Sequence, residues 1–393
     1  MTRKKGVRPL PILILAGLLT LFLVRNGGWI LDTIRTPDSV DAREKILLGL
    51  SQEDEIIYLQ QYDLTQQDLA RILNDLSCSQ PELFFVGCSS YSCTIWMDRV
   101  LSLTPTYWYR GAERERLQEQ YQQAIAEIIA PIDEDWSDLE TALYLHDYMA
   151  AHYAYDESQK NFTAYQLLTE HTGICQAYSL TYQALMQAAG LECRYVLSDE
   201  MDHSWNAVFL DGAWYHVDIT FDDPIFDRLG KVGHQYFLRS DAMIARDHPG
   251  DYTGPVCASD RYDRALWNTV STGFVPVDGV FYCISGNQLC RWDAEKLTPL
   301  YTIPERWIVN GTAHNYWDGC FSSLDTDGAA LYFNVPDAVK RYDPATGELC
   351  TVYTHTGEGD LYGFLCQKDG TALIQTAESP NDPGQLQRIP INQ

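Results

Sequence analysis

The chain has 393 residues, more than one hydrophobic core usually supports, so at least two globular units are expected. Hydrophobic residues make up 46% and charged residues 21% of the total, which excludes a wholly disordered chain. Because 28 Lys and Arg face 54 Asp and Glu, the formal net charge is −26. A body this acidic repels a phosphate backbone, so nucleic acid is not expected as a partner, whereas basic and neutral partners stay open.

Residues 1–30 have the pattern of a targeting segment. Basic residues precede an uncharged apolar run over 9–24, and no small-residue cleavage pattern follows the run. This favours an uncleaved signal-anchor over a cleaved signal peptide, with a buried core helix as a third interpretation. Positive charge before the run predicts a single-pass location in the cell membrane, with residues 31–393 extracytoplasmic. The alternative is a protein secreted after signal cleavage.

Residues 31–135 are predicted to form a small N-terminal α/β region. A helix is expected from 64 to 76, and residues 81–100 are rich in Phe, Val, Tyr, Thr and Ile, which favours strands. Residues 112–130 lack Gly and Pro and space their apolar side chains as an amphipathic helix does, until Pro131 ends the helix.

Residues 136–255 hold most of the residues that can carry chemistry. A capping-box pattern, Ser137 with Glu140 three positions later, opens a first helix. A second helix is expected to end at Gly190, because residues 176–189 are free of Gly and Pro and are followed by this glycine. Its first turn contains Cys175.

Two β-rich runs flank Asp211-Gly212 and predict a hairpin with a two-residue turn. Since side chains alternate between the faces of a strand, this register places His203 and Asp218 on one face, as diagonal neighbours about 7–8 Å apart. A slip of one residue would separate them. The same register pairs Leu210 with Ala213, Phe209 with Trp214, Ala207 with His216, Trp205 with Asp218 and His203 with Thr220. Trp205 and Thr220 therefore lie on the same face as His203 and Asp218.

Cys175, His203 and Asp218 are therefore the candidate catalytic residues. A thiol needs help to ionise at neutral pH, and a helix N-terminus offers unpaired N–H groups and partial positive charge to a thiolate. His203 can take the thiol proton, and a carboxylate at Asp218 can hold the imidazole in one tautomer. Each residue alone is typical of an ordinary structural position, and only their joint placement indicates catalysis.

Three sequence blocks carry these residues, and they resemble the core of the transglutaminase-like superfamily in order and spacing. The blocks lie at 173–178, 203–206 and 214–224, and the resemblance spans roughly residues 140–250. Flanking segments that also resemble bacterial members lie at 145–148, 236–238 and 247–248.

The resemblance implies an α+β, papain-like fold in which the helix bearing Cys175 packs on an antiparallel sheet. It also implies that Cys175 is the nucleophile, that His203 is base and acid, and that Asp218 orients His203. The chemistry would be acyl transfer from an amide through a thioester. Water as the acceptor gives a protease or amidase, and an amine gives a crosslinking transglutaminase.

The sequence differs from the family pattern at one position, and one functional residue of the pattern has no clear counterpart. Ala177 stands where Gly is common, and a methyl group is small enough to leave the triad intact. The side-chain oxyanion donor is open between Tyr165 and Gln166. Asp222 and Asp223 favour a turn, with a metal contact as the lesser alternative, so neither a metal nor a cofactor is predicted.

Four further residues near the candidate site are expected to be structural. His216 is predicted to pack or hydrogen-bond, with a second base as the alternative. Trp205 is expected to shield the His–Asp pair from water, and Asn206 to hold backbone on the other face. His146 is expected to pack into the core from its helix.

Eleven cysteines occur, and no C-x-x-C motif, so zinc ribbons and thioredoxin-type chemistry have no support. Bridges are conceivable between Cys283 and Cys290 and between Cys88 and Cys93, across tight turns. The favoured interpretation is that these residues are small buried hydrophobes.

Residues 260–393 predict an all-β unit of short strands with Gly and Pro between them. A pattern recurs after 50 positions, because Phe281-Tyr282 and Arg291-Trp292-Asp293 return as Leu331-Tyr332 and Arg341-Tyr342-Asp343. A poorer third copy follows near 372–389. The repeats favour an incomplete, propeller-like arrangement or a sandwich.

The leading hypothesis is a membrane-anchored extracytoplasmic thiol enzyme that cleaves or transfers acyl groups of protein or peptide amides. The alternative is a catalytically weak or inactive surface binding module that acts through the β-rich C-terminal region, and a third is a structural surface protein. The expected partners are a protein or peptide substrate and a membrane, and the oligomeric state is left open.

Overall fold

The structure is a computed structural model that divides into two compact units. One unit comprises residues up to 77 together with 85–110, and the other comprises 78–84 together with 111–393. The described residues are 37–223, 227–293, 295–308, 316–317, 321–380 and 382–391.

The single-pass membrane location predicted from the sequence requires correction. Among the residues that the structure describes, no helix combines the length and the apolar character needed to cross a membrane. The predicted signal-anchor, residues 1–30, lies outside the described residues.

The first unit is a small α/β arrangement around a three-stranded antiparallel sheet. The central strand pairs with the other two, in the order β1-β3-β2. Strand β2 begins only at Val86, later than predicted, because Pro81 fixes its own φ and opens a 3₁₀ turn over Pro81–Leu83. The elements are α1 (Pro37–Ser51), β1 (Ile57–Tyr58), α2 (Gln66–Ser79), whose last two residues belong to the second unit, β2 (Val86–Trp96) and β3 (Arg99–Tyr107).

The second unit contains the predicted catalytic block. The capping box expected at Ser137 and Glu140 is present, with both reciprocal hydrogen bonds. The helices are α3 (Gly111–Ile129), α4 (Asp138–His152), α5 (Ala164–Glu170), α6 (Cys175–Ala188), α7 (Ile219–Asp222) and α8 (Asp241–Ile244). The strands are β4 (Ala154–Tyr155), β5 (Thr172–Gly173), β6 (Cys193–Ser198), β7 (His203–Leu210), β8 (Ala213–Val217) and β9 (Phe237–Arg239).

Helix α6 packs on the four-stranded antiparallel sheet β6-β7-β8-β9, as the sequence resemblance implied. The amide of Asn206 donates a hydrogen bond to the backbone oxygen of Ser179 at 3.0 Å and ties β7 to α6. The hydroxyl of Tyr182 donates to the backbone oxygen of Ala142 at 3.0 Å and ties α6 to α4. These bonds satisfy buried polar groups and fix the helix that begins at Cys175.

The register of the β7–β8 hairpin agrees with the prediction over five residue pairs, from Leu210 with Ala213 next to the turn to Asn206 with Val217. Asp211 and Gly212 both have positive φ, 51° and 79°, as a turn of this type requires. The ladder then stops, because Asp218 leaves the strand and caps α7. Trp205 and Asp218 therefore do not pair as predicted, nor do His203 and Thr220.

The C-terminal region consists of separate antiparallel sheets, β10-β11-β12-β13, β14-β15, β16-β17-β18-β19 and β20-β21-β22. These sheets give no support to the propeller-like arrangement predicted from the repeats. The 50-residue repeat has a structural counterpart, since Phe281 pairs with Trp292 just as Leu331 pairs with Tyr342. The strands are β10 (Val275–Val277), β11 (Val280–Ser285), β12 (Gln288–Trp292), β13 (Leu297–Thr302), β14 (Trp307–Ile308), β15 (Tyr316–Trp317), β16 (Leu324–Thr326), β17 (Leu331–Val335), β18 (Ala338–Tyr342), β19 (Leu349–Thr354), β20 (Asp360–Cys366), β21 (Thr371–Ala377) and β22 (Gln385–Pro390).

Cys283 and Cys290 lie opposite each other in the β11–β12 hairpin, as their spacing suggested, and both are buried. Cys93 and Cys290 are free thiols, so neither of the two conceivable bridges is formed. Cys88 and Cys93 are only partly buried.

Candidate active site

Cys175 lies at the N-terminus of α6, where the chain leaves a short parallel strand pair. Gly173 on β5 pairs with Tyr155 on β4, and Ile174 is the N-cap residue, without a side-chain cap. A Cβ atom at Gly173 would lie 2.7 Å from the Cβ of Ala177, so glycine is required there. Since the apolar side chain of Ile174 cannot cap the first turn of α6, the N–H groups there are available to a thiolate or an oxyanion.

His203 opens β7 and connects the other two candidate residues. Its Nε2 lies 2.7 Å from the Oδ2 of Asp218, which leaves Nδ1 as the ring nitrogen for its hydrogen bond with the Cys175 side chain. Burial opposes the charged imidazole, but hydrogen bonds to Asp218 and Cys175 outweigh burial and raise the pKa of His203 to about 10. The structure thus brings all three sequence-predicted residues together.

The Cys175 thiol is poised to ionise. Burial acts to raise its pKa, but hydrogen bonds with His203 and with Ser204 outweigh burial and lower the pKa below its usual value. Ser204 contributes through both its backbone and its side chain. A thiolate beside an imidazolium is the ion pair that nucleophilic cysteines use. Sequence reasoning gave Ser204 no role, because serine after a strand histidine has no distinctive pattern.

Asp218 is fully buried and accepts three hydrogen bonds. Its Oδ2 lies 2.7 Å from His203 Nε2 and 2.8 Å from His248 Nε2, and its Oδ1 accepts the backbone N–H of Phe221 at 3.2 Å. Burial acts to raise its pKa, but the two histidines outweigh burial and lower it, so the carboxylate is ionised. In the sequence, His248 stands out only because the segment 247–248 resembles a flanking segment of bacterial members of the superfamily. Its contact with Asp218 spans 30 residues and has no local signal.

Trp205 covers the His–Asp pair, as expected. Its ring stacks on His203 with centroids 5.7 Å apart and an interplanar angle of 22°. Its Nε1–H donates to His216 Nδ1 at 3.0 Å, and His216 Nε2 lies 3.0 Å from Asp241 Oδ1. Burial lowers the pKa of His216 despite Asp241, so His216 is a neutral hydrogen-bonding residue. This geometry gives no support to the alternative of a second base.

Neither candidate for the side-chain oxyanion donor is available. Gln166 forms a capping box with Thr163, in which its Oε1 accepts the N–H and hydroxyl of that residue, and its Nε2 donates to the backbone oxygen of Lys160 at 3.4 Å. Tyr165 donates its hydroxyl to Gln120 at 3.0 Å and stacks on Phe84. The T-x-x-Q spacing of the capping box was a readable signal for the role of Gln166.

His146 belongs to a second buried network. Its Nδ1 lies 2.8 Å from Asp147 Oδ1 and its Nε2 3.2 Å from Asp222 Oδ2. Burial opposes its charge, but these two carboxylates outweigh burial and raise the pKa of His146 to about 9. Asp147 Oδ1 also lies 2.9 Å from His234 Nε2. His146 is thus buried as expected, but as a charged bridge and not as a packing residue.

The histidine-rich clusters are accounted for by internal hydrogen bonds. In three clusters of described residues, possible ligand atoms lie within 4.8 Å of one another, and in each the histidines already bond to the carboxylate. Asp222 also accepts the Tyr236 N–H, and Asp223 accepts the Tyr178 hydroxyl at 2.5 Å. The clusters are His146 with Asp147 and His234, His203 with Asp218 and His248, and His216 with Asp241 and Cys257.

Known proteins resemble the region around this site. Residues 123–219 match the model of the transglutaminase-like superfamily, and this part of the chain belongs to that superfamily. The Homo sapiens protein named Kyphoscoliosis peptidase is 25% identical over 142 residues, covering 30% of this chain and 22% of the relative. A Caenorhabditis briggsae protein named peptide-N(4)-(N-acetyl-beta-glucosaminyl)asparagine amidase is 37% identical over 93 residues, covering 22% of this chain and 15% of the relative.

The chain therefore spans about a fifth or less of the length of these curated relatives. Among solved structures, that of a TGase superposes with a TM-score of 0.24 and 15% identity, covering 40% of this chain and 49% of the other. At so low a TM-score the superposition carries no weight, and the family assignment depends on the match over 123–219.

Proposed function

We propose that this protein is a thiol enzyme of the transglutaminase-like type that cleaves or transfers the acyl group of an amide through a thioester on Cys175. The observation that supports this most directly is the connected set of Cys175, His203 and Asp218, with 2.7 Å between His203 Nε2 and Asp218 Oδ2. Sequence similarity to proteins named as a peptidase and an amidase supports amides of proteins or peptides as the substrate class.

The proposed acylation begins with the Cys175 thiolate beside the His203 imidazolium. The sulfur attacks the carbonyl carbon, a C–S bond forms, and the carbonyl oxygen takes the negative charge. N–H groups at the start of α6 stabilise this oxyanion. The C–N bond then breaks, His203 gives its Nδ1 proton to the leaving amine, and a thioester remains on Cys175.

Deacylation reverses the role of His203, which is now a neutral base. It takes a proton from water or from an amine, and that nucleophile attacks the thioester carbon. The C–S bond breaks, the thiolate and imidazolium are restored, and an acid or a new amide leaves. Asp218 keeps the imidazole in the required tautomer throughout, since its carboxylate accepts the Nε2–H.

In the alternative hypothesis the protein is an inactive binding module. That hypothesis does not explain why an ionisable thiol at a helix N-terminus faces a buried His–Asp pair. Perturbed pKa values cluster at functional sites, and here both Cys175 and His203 are perturbed by each other. These observations favour the enzyme.

A thiol-directed probe tests the proposal. We expect an alkyne-bearing iodoacetamide to label Cys175 at pH 6, where ordinary thiols are protonated, and the Cys175→Ala variant to lose this labelling. Cys193→Ala is the matched control, because Cys193 is buried and burial raises its pKa well above the usual range. Equal labelling of wild type and Cys175→Ala would count against the enzyme. A peptide library scored for amine release and for amine incorporation then separates hydrolysis from transfer.

A further inference from the structure

A second imidazole is bonded to the same carboxylate oxygen that holds His203. His248 Nε2 lies 2.8 Å from Asp218 Oδ2, and His203 Nε2 lies 2.7 Å from that atom. Because an ionised carboxylate only accepts hydrogen bonds, both nitrogens must donate to it. Asp218 is therefore shared between two N–H donors and is not a dedicated partner of His203.

The other ring nitrogen of His248 is informative as well. The ring is 1% exposed, and its Nδ1 has no hydrogen-bond partner among the described residues. A buried polar atom without a partner is unfavourable, so the polar contacts of this residue are concentrated on Asp218. A neutral ring with Nε2–H and a bare Nδ1 satisfies the contact to Asp218 without placing an unpaired N–H in the core.

The surroundings of His248 are mostly aromatic and hold its ring in place. Aromatic rings pack around it, with centroids 5.0 Å away at Trp205, 4.6 Å at Phe221 and 5.5 Å at Tyr236. The titratable groups that face it are Asp218 at the start of α7, His203 on β7, His216 on β8 through electrostatic coupling, and Tyr236 before β9, whose hydroxyl bonds to Asp247.

We propose that His248 is a positioning residue of the active site: its Nε2–H fixes the Asp218 carboxylate and weakens the stabilisation that this carboxylate gives to the His203 imidazolium. The inference rests on the proposed thiol chemistry. In the acylation step His203 must release its Nδ1 proton to the leaving amine. An imidazolium whose carboxylate is shared with a second donor is stabilised less, so it releases that proton more readily. A second hydrogen bond also stops the carboxylate from rotating away from His203.

Removal of the donor should be visible in a pH profile. The rate of carboxymethylation of Cys175 by iodoacetate, followed on the Cys175 peptide by mass spectrometry, falls at alkaline pH when His203 loses its proton. In His248→Phe we expect the pH at which this alkaline decrease occurs to rise by about half a pH unit to one pH unit, because Asp218 then accepts a histidine N–H only from His203. The rate of amide release should fall about tenfold, because His203 is a weaker acid.

Two further variants separate positioning from simple packing. His248→Gln keeps an amide N–H that reaches Asp218. We expect the alkaline decrease in the rate of Cys175 alkylation to occur at the same pH in this variant as in the wild type. His248→Asn is polar but too short to reach, and we expect it to behave as His248→Phe does, which covers the case in which His248→Phe does not fold. In an Asp218→Ala background, His248→Phe should cause no additional shift.

The inference is overturned if the alkaline decrease occurs at the wild-type pH in folded His248→Asn or His248→Phe protein, or if the shift persists in the Asp218→Ala background. Failure of the proposed function looks different, because the wild type would then lack any reactivity of Cys175 that depends on His203. A wild-type profile that depends on His203, together with unmoved His248 variants, rejects the role of His248 alone.

Discussion

His216 accepts the indole N–H of Trp205 at 3.0 Å, and this bond fixes the ring that stacks on His203. The bond runs between neighbouring strands, and both residues are buried, with Trp205 1% and His216 0% exposed. Because an indole only donates, His216 has one allowed tautomer, with its proton on the nitrogen that faces Asp241. The wall over the catalytic pair is thus held by a histidine that takes no part in proton transfer.

A change at His216 should therefore act through Trp205. In His216→Phe the buried indole N–H has no acceptor, and we expect the free energy of unfolding to fall by about 1–3 kcal/mol. Trp205→Phe in the same chain removes the orphaned donor, so the double variant should be more stable than the sum of the single changes predicts. Urea denaturation of the four chains measures the coupling. Additive effects would show that the bond contributes no stability.

Asp218 is expected to control the acidity of Cys175 through His203. In Asp218→Asn the imidazolium loses its carboxylate, so the thiolate loses its counter-ion and the pKa of Cys175 rises. Each unit of that rise lowers the thiolate fraction tenfold, so alkylation of Cys175 by iodoacetamide at pH 6 should slow by at least about tenfold. The measurement is the rate of modification of the Cys175 peptide between pH 4 and 9.

The matched control for Asp218→Asn is Asp202→Asn, which removes an exposed carboxylate one residue before His203. Asp202 has a positive φ of 49°, a conformation that Asn tolerates well. We expect this variant to keep the wild-type rate and profile. Equal slowing in both variants would show that general electrostatics, and not the hydrogen bond to His203, determines the reactivity of Cys175.

The parts of this site that local rules describe were predictable from the sequence. The Asp211-Gly212 turn determines the register that brings His203 toward Asp218. The predicted strand is too long, because Asp218 is the N-cap of α7 and the chain turns into that helix where the ladder with β7 was expected to continue. The contact of His248 with Asp218 was out of reach, since it joins residues 30 positions apart through tertiary packing.

His146 predicts a specific dependence of stability on pH. Its pKa is about 9 in the folded state, above the ordinary 6.5, because Asp147 and Asp222 outweigh the effect of burial. A group with a raised pKa stabilises the fold fully below about pH 6.5, and this contribution is lost as pH rises through about 9. We expect the free energy of unfolding to fall over that range, and His146→Gln to remove part of the slope.

Loss of the charge in His146→Gln should also destabilise the protein by about 3–5 kcal/mol near pH 6, because two buried carboxylates lose the cation that lies between them. His152→Gln is the matched control in the same helix. Burial lowers the pKa of His152 to about 4, so in the folded protein this residue is neutral across the whole range. Urea unfolding at pH 6 and pH 9.5 compares the three chains. A wild-type slope that survives intact in His146→Gln would contradict the charged bridge.

The β-rich C-terminal region is expected to be needed for the fold of the catalytic block, since both belong to one compact unit. Asp147 accepts the backbone N–H of Phe274 at 2.6 Å. The backbone of Leu229 donates to Gln375 and accepts from Ser323. Deletion of residues 260–393 would leave these buried groups without partners, so cooperative unfolding and labelling of Cys175 should both be lost. A chain that ends at residue 384 loses β22 and the buried side chains of Ile389 and Ile391 but keeps the contacts to Asp147 and Leu229. It should be less stable than the full chain, yet it should still unfold cooperatively and be labelled at Cys175. Normal labelling of the longer deletion would show that the catalytic block folds alone.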